Sequence, residues 1–86
     1  MKVFLSGSIS HDPDYKEHFK KAHDRFENVF DPSLLPPGLS HEEYMKICLA
    51  NLTLCDAIYY VNDVTTSKGS FIERIVALAC GIGEIV

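Results

Sequence analysis

One glutamate, Glu73, stands where the sequence is best suited to chemistry. It follows an apolar run at residues 57–61 and a polar loop at residues 62–69. Together these predict a buried parallel strand and its turn into a helix, the corner where open α/β sheets bind ligands. We expect the positive helix N-terminus to keep the Glu73 carboxylate ionised. Such a carboxylate can displace a base from C1′ of a nucleoside and form a covalent glycosyl intermediate.

The same residues also fit a structural role. Ser70 and Glu73 have the S-x-x-E spacing of a capping box, in which Glu73 would accept a hydrogen bond from the Ser70 N–H. The preceding hydroxyls and backbone N–H groups of residues 67–70 are what an anionic substrate needs. The spacing alone leaves both roles open, either a reagent or a cap.

Two further turns are predicted at the same edge of the sheet. The small residues of SGSIS, 6–10, follow the first strand and would let backbone N–H groups approach a ligand, although an ordinary β-to-α turn also fits. Asp31 follows a brief strand and precedes Pro32, so it is either the catalytic acid, a role for which Asp63 is the alternative, or a turn residue. Neither G-x-G-x-x-G nor G-x-x-x-x-G-K-[ST] occurs, so neither a dinucleotide fingerprint nor a P-loop is supported.

Four strands alternate with three helices along the chain. The strands are predicted at residues 2–5, 28–30, 57–61 and 84–86. This order predicts one α/β domain over residues 1–86, with an open parallel four-stranded sheet in the order 2-1-3-4. Helices would cover both faces, as in Rossmann-like and flavodoxin-like folds. The loops after strands 1 and 3 would then form one crevice.

Each helix has its own start signal and apolar face. Asp12 is the expected N-cap of the first helix, which turns Tyr15, Phe19, Ala22 and Phe26 to the sheet. Ser40 and Glu43 form a capping box for the second, which is apolar on more than one side and is expected to contact a partner subunit. The third runs from about Ser70, is stopped by Gly81, and is expected to turn four residues to the core: Ile72, Ile75, Val76 and Ala79.

Composition narrows the classes of partner. The net charge is −4 and no basic run occurs, which argues against duplex nucleic acid. No apolar run has transmembrane length, and Met1-Lys2 leads directly into a strand rather than a signal peptide, so we expect no membrane association. Three cysteines, an odd number without metal-ligand spacing, indicate free thiols in the cytoplasm and no metal.

Three stretches together resemble a known superfamily. They are VFLSGSIS, PPGLSHEEYMKICLANLTLCDAIYY and SKGSFIERIVALACG. They are similar to the nucleoside 2-deoxyribosyltransferases and the 2′-deoxynucleoside 5′-monophosphate N-glycosidases, most of all to a small bacterial and phage branch. The last stretch is the most specific, because it sets a small-residue loop and a glutamate at fixed spacing before an alanine-rich helix.

The resemblance implies roles for individual residues. It makes Glu73 the nucleophile, and it places the sugar phosphate against two turns: Gly7, Ser8 and Ile9 in one, Ser67 and Gly69 in the other. It implies a nucleoside or nucleotide substrate, no cofactor, no metal, and a homodimer or larger homo-oligomer. Cys48 stands where these enzymes carry an aspartate that assists the chemistry. The alternative is therefore a non-catalytic module that binds a nucleotide in the same crevice.

Overall fold

The computed structural model describes residues 1–62 and 68–85. Its strands are β1 Val3–Ser6, β2 Val29–Phe30, β3 Ala57–Tyr60 and β4 Gly83–Ile85. Its helices are α1 Tyr15–Arg25, α2 His41–Leu52 and α3 Lys68–Ala79, with a one-turn 3₁₀ helix at Pro32–Leu34. Among the described residues, none of these helices is long and apolar enough to cross a bilayer.

The four strands form one open parallel sheet in the order β2-β1-β3-β4, which confirms the predicted α/β topology. β1 pairs with β3 from Val3 opposite Ala57 to Ser6 opposite Tyr60. The direction of travel across the sheet reverses between β1 and β3. The carboxyl ends of β1 and β3 therefore lie side by side with loops diverging from them.

The core has one layer on each face of the sheet. α1 packs Phe19 and Ala22 against Val3 and Leu5 of β1, which confirms its predicted apolar face. On the opposite face, residues of α2 and α3 pack against alternate side chains of the strands in a second cluster: Phe4, Cys48, Leu52, Cys55, Ile58, Ala77 and Ile82. The period-two alternation along β1 and β3 assigns neighbouring residues to opposite layers.

The start of α1 differs from the prediction. The helix begins at Tyr15 with Asp14 at the N-cap position, and Asp14 makes no side-chain capping bond. Asp12 is not the N-cap, because its carboxylate serves three other donors. Its Oδ1 accepts from the Asp14 N–H at 2.9 Å, and its Oδ2 lies 2.6 Å from His18 Nδ1 and 2.7 Å from the Asn62 amide.

The prediction for the core face of α3 was wrong at three of four positions. Ile72, Ile75 and Ala79 are exposed, and only Val76 packs against the core. The buried face of α3 consists instead of Ser70, Glu73 and Ala77. The helix is rotated about its axis relative to the expectation because small and polar residues lie against α2 and the sheet, which leaves the large aliphatic side chains outward.

The C-terminal end of α3 follows the prediction at Gly81. This glycine has a φ of +70°, a left-handed conformation that residues with a Cβ rarely adopt. Its N–H donates to the Leu78 carbonyl, and the Ile82 N–H donates to the Ala77 carbonyl at 2.9 Å. These two bonds form a Schellman motif, which turns the chain sharply into β4.

We expect Gly7→Ala to destabilise the fold. A Cβ at residue 7 would lie 2.6 Å from Asn62 Oδ1 and 3.2 Å from the Phe19 ring, so the loop or the asparagine must move. We predict a loss of roughly 1–3 kcal/mol in the free energy of unfolding, measured by urea denaturation. The matched control is Gly83→Ala, whose Cβ would meet nothing within 4 Å. Equal stability of the two variants would contradict this account of Gly7.

Candidate functional site

A cavity of about 430 Å³ lies among the described residues at the carboxyl edge of the sheet. Segments that follow three different strands line it. The lining residues are Gly7 and residues 9–11 after β1, residues 39–41, 44 and 45 around the start of α2, and residues 68–70 and 73 at the start of α3. A cavity of this size accommodates a drug-sized or nucleoside-sized molecule.

Glu73 lines this cavity and is not a helix cap. Its side chain is 4% exposed, and its Oε1 accepts a hydrogen bond of 2.7 Å from the Ser6 hydroxyl at the end of β1. A capping box at Ser70 cannot form, because α3 already begins at Lys68 and Ser70 lies inside the helix. The carboxylate is therefore directed across the helix–sheet boundary toward β1.

Burial changes the protonation of Glu73. Loss of solvent raises the pKa of its carboxyl from 4.5 to about 7, and the hydrogen bond from Ser6 opposes that rise. The expectation that the helix terminus keeps the carboxylate fully ionised was wrong. Glu73 lies in the second turn of α3, whereas the influence of a helix terminus falls off within the first turn. At neutral pH the site therefore holds a carboxyl that can both lose and regain a proton.

Two side chains of α2 lie in the electrostatic neighbourhood of Glu73. Tyr44 lines the cavity, and Cys48, one helical turn further along α2, is fully buried. Burial raises the pKa of the Cys48 thiol to about 12, and the charge of Glu73 adds to that effect. Burial also raises the pKa of Tyr44. Both groups thus keep their protons at neutral pH.

The turn after β1 contributes to the cavity unevenly. Gly7 and Ile9, two of the residues expected to contact a substrate, line it together with Ser10 and His11. The Ser8 hydroxyl instead accepts a hydrogen bond from the His11 N–H at 3.1 Å, inside its own turn. Ser8 therefore shapes the turn from within.

The remaining predicted residues are divided among three places. Gly69 lines the cavity, whereas Ser67 and Asp63 lie outside the described residues. Asp31 lies beside a separate cavity of about 400 Å³, next to α1. Its Oδ1 accepts from the Ser33 N–H at 2.9 Å, and its Oδ2 lies 2.9 Å from His23 Nδ1. The structure thus gives Asp31 the turn role and does not bring it to Glu73.

Sequence reasoning missed the wall formed by the start of α2, including His41 and Tyr44. A signal for it was available. The capping box at Ser40, which the structure shows with both reciprocal bonds, placed the N-terminus of α2 after β2 and hence at the same edge of the sheet. Among residues 1–62 and 68–85, no group of three histidine, cysteine or acidic side chains could hold a metal ion together.

Comparison with known proteins gives one match. The whole chain, residues 1–86, matches the family described as a domain of unknown function, DUF4406. The chain belongs to the DUF4406 family. No curated protein and no solved structure matches it. Within DUF4406, this chain therefore shows a four-stranded parallel sheet with a buried glutamate beside a cavity.

We expect Glu73→Gln to stabilise this DUF4406 chain increasingly as the pH rises. Folding raises the pKa of Glu73 from 4.5 to about 7, so the folded state retains a proton that the unfolded state releases between these values. The wild type therefore loses up to about 3 kcal/mol of stability as the pH rises from 4 to 8, whereas the neutral amide loses none of it. Urea denaturation at pH 5 and pH 8 measures the difference.

The matched control for this prediction is Glu43→Gln. Glu43 accepts the capping bond from the Ser40 N–H, and hydrogen bonding to Ser40 holds the pKa of its carboxyl below its usual value. Its replacement should give no gain in stability at high pH. A Glu73→Gln variant that is no more stable than the wild type at pH 8 would contradict the burial cost assigned to Glu73.

Proposed function

We propose that this protein is an N-glycosidase or deoxyribosyltransferase acting on a deoxynucleoside or its 5′-monophosphate, with Glu73 as the nucleophile. The observation that carries the proposal is the position of Glu73. Its carboxyl is buried, hydrogen-bonded to Ser6, and lines a cavity of about 430 Å³ at the carboxyl edge of the sheet. The resemblance to the deoxyribosyltransferase superfamily supports the same residue independently of this geometry.

The chemistry follows from the ionised form of Glu73. One carboxylate oxygen attacks C1′, the bond from C1′ to the base nitrogen breaks, and that nitrogen takes the electron pair and a proton. Water then releases the sugar, or a second base accepts it. Because Asp31 lies elsewhere, the proton must come from another group. Described side chains that line the cavity and carry transferable protons are His11, His41 and Lys68.

Substrate turnover tests the proposal. The wild type, incubated with a panel of deoxynucleosides and their 5′-monophosphates, should release free base, detected by chromatography. Release should rise with pH around a midpoint near 7, because only the ionised Glu73 attacks. Ser6→Ala should move that midpoint to higher pH, since the Ser6 hydrogen bond favours the ionised carboxylate. Glu73→Gln should lower the rate by roughly three orders of magnitude.

Glu84→Gln is the control for Glu73→Gln. Glu84 is an exposed glutamate on β4 that pairs with Arg74, and it does not line the cavity. Its replacement should leave base release unchanged. The proposal fails if no substrate in the panel yields free base, or if Glu73→Gln releases base as fast as the wild type.

A non-catalytic nucleotide-binding module is the second candidate, and the state of Cys48 favours it. The thiol stands where the resemblance implies an aspartate, and its pKa of about 12 makes it a poor acid. A module of this kind would show a melting temperature that rises with nucleotide while the nucleotide stays intact. Base release that depends on Glu73 would exclude it.

We further propose that the protein forms a homodimer or larger homo-oligomer through α3. The resemblance implies self-association, and the exposed face of α3 offers an apolar surface for it. This α3 stripe consists of four large side chains that are 36% to 64% exposed: Phe71, Ile72, Ile75 and Leu78. The second helix, expected to make that contact, instead has its apolar side chains mostly buried or half-buried.

We expect the double variant Phe71→Ser, Leu78→Ser to lower the molecular mass in solution, because it removes the ends of the α3 stripe. Size-exclusion chromatography with light scattering measures the change. The matched control is Leu54→Ser, since Leu54 is 73% exposed but lies outside α3. A wild-type monomer, or a double variant with the wild-type mass, would exclude the α3 contact.

We also propose that the protein is located in the cytoplasm. All three cysteines are free, and Cys48 and Cys55 are buried. Buried free thiols fit a reducing compartment, where small intracellular nucleotides are also found.

A further inference from the structure

One asparagine, Asn62, joins the two loops that follow β1 and β3. Its Oδ1 accepts a hydrogen bond of 2.7 Å from the Ser8 N–H, and its Nδ2 donates to the Ser8 carbonyl at 2.9 Å. The two residues are 54 positions apart in the chain. A single side chain thus satisfies both backbone groups of Ser8 at the centre of the turn after β1.

A second layer holds Asn62 itself. Its Nδ2 also donates to Asp12 Oδ2 at 2.7 Å, and the same oxygen lies 2.6 Å from His18 Nδ1. The hydrogen bond from His18 keeps the pKa of Asp12 below its usual value, so Asp12 remains an acceptor. With Asp12 and the Ser8 carbonyl both accepting, the asparagine amide has only one favourable orientation.

The turn held in this way is a wall of the cavity. Gly7, Ile9, Ser10 and His11 line the cavity, and Ser8 sits among them with its hydroxyl accepting from the His11 N–H. Gly7 also lies so close to Asn62 that a Cβ there would approach Oδ1 to 2.6 Å. The position of Asn62 therefore determines how near residues 7–11 lie to the opposite wall formed by α2 and α3.

We infer that Asn62 is a positioning residue, which holds residues 7–11 in place as the cavity wall facing Glu73. Its effect on turnover rests on the proposed function, whereas its effect on the wall does not. Asn62 itself does not line the cavity. It acts through Ser8, and displacement of a binding wall by about 1 Å is enough to lower catalysis as much as about a hundredfold.

The first measurement is amide hydrogen exchange, which does not depend on any substrate. In Asn62→Ala, the Ser8 amide loses its acceptor, so its exchange should accelerate roughly tenfold. The amides of Phe4 and Ile58, in the paired strands, should keep their wild-type protection. The matched control is Asn51→Ala, which removes one asparagine bond to the Ile47 carbonyl within α2 and should leave Ser8 unchanged.

Swapping the amide and the carboxylate between residues 62 and 12 distinguishes a positioning role of Asn62 from a general effect on stability. Asn62→Asp keeps the acceptor for the Ser8 N–H but sets a carboxylate against Asp12 and the Ser8 carbonyl, so exchange at Ser8 should accelerate. Adding Asp12→Asn restores a donor between residues 12 and 62 and should recover part of the protection. The same order is expected for kcat/KM on any deoxynucleotide that the wild type cleaves, with Asn62→Asp roughly tenfold or more below the wild type.

The outcomes distinguish this inference from the proposed function. Unchanged exchange at Ser8 in both Asn62 variants overturns the inference, and so does faster exchange with unchanged kcat/KM. If the wild type cleaves no substrate, the proposed function fails, and exchange at Ser8 still decides whether Asn62 holds the wall. If Asn62→Ala does not fold, Asp12→Ala leaves the Asn62–Ser8 bonds in place but removes the carboxylate that orients the Asn62 amide, together with its bonds to Asp14 and His18. Wild-type exchange at Ser8 in that variant overturns the inference.

Discussion

The hydrogen bond from the Ser6 hydroxyl to the Glu73 carboxyl ties the last residue of β1 to the second turn of α3. Both groups are buried, and the loss of solvent around the carboxyl raises the pKa of Glu73 to about 7, although the hydrogen bond itself opposes that rise. With this bond in place, the side of α3 that is buried consists of Ser70, Glu73 and Ala77, although the helix carries larger apolar residues. Those larger residues form the exposed α3 stripe. The orientation of α3 that buries this carboxyl thus accounts for its protonation state and for the apolar outer surface of the helix.

Burial of the Glu73 carboxyl lowers the stability of the folded state, which matters in a chain of only 86 residues. Small domains bury a limited fraction of their surface, and their net stability is only a few kcal/mol. A buried carboxyl that ionises near neutral pH takes up a large part of that margin. Structural reasons alone would favour an apolar residue at position 73, where the strand end and the helix meet. Residues that weaken the fold in this way are concentrated at sites where their chemistry is used.

Hydrogen bonds within and between the segments that line the cavity hold them in place. Asn62 links the turn after β1 to the end of β3, and the Ser40–Glu43 capping box fixes the start of α2. Each of these contacts satisfies backbone groups that would otherwise need water. A cavity built from loop segments can therefore keep a defined shape in a small domain. The lack of a side chain at Gly7 is required for this, because a Cβ there would clash with the Asn62 amide.

The sequence by itself determined the sheet order, the alternation of elements and the edge at which Glu73 lies, because strand and helix periodicities and parallel crossovers leave few topologies open. Local signals also gave the Ser40 capping box and the turn at Gly81. Only the tertiary structure decided which face of α3 is buried, that Asp31 serves a turn, and that Asn62 joins two loops. Periodicity cannot fix the rotation of a helix that is apolar on several sides, and hydrogen bonds between residues 54 apart leave no local pattern.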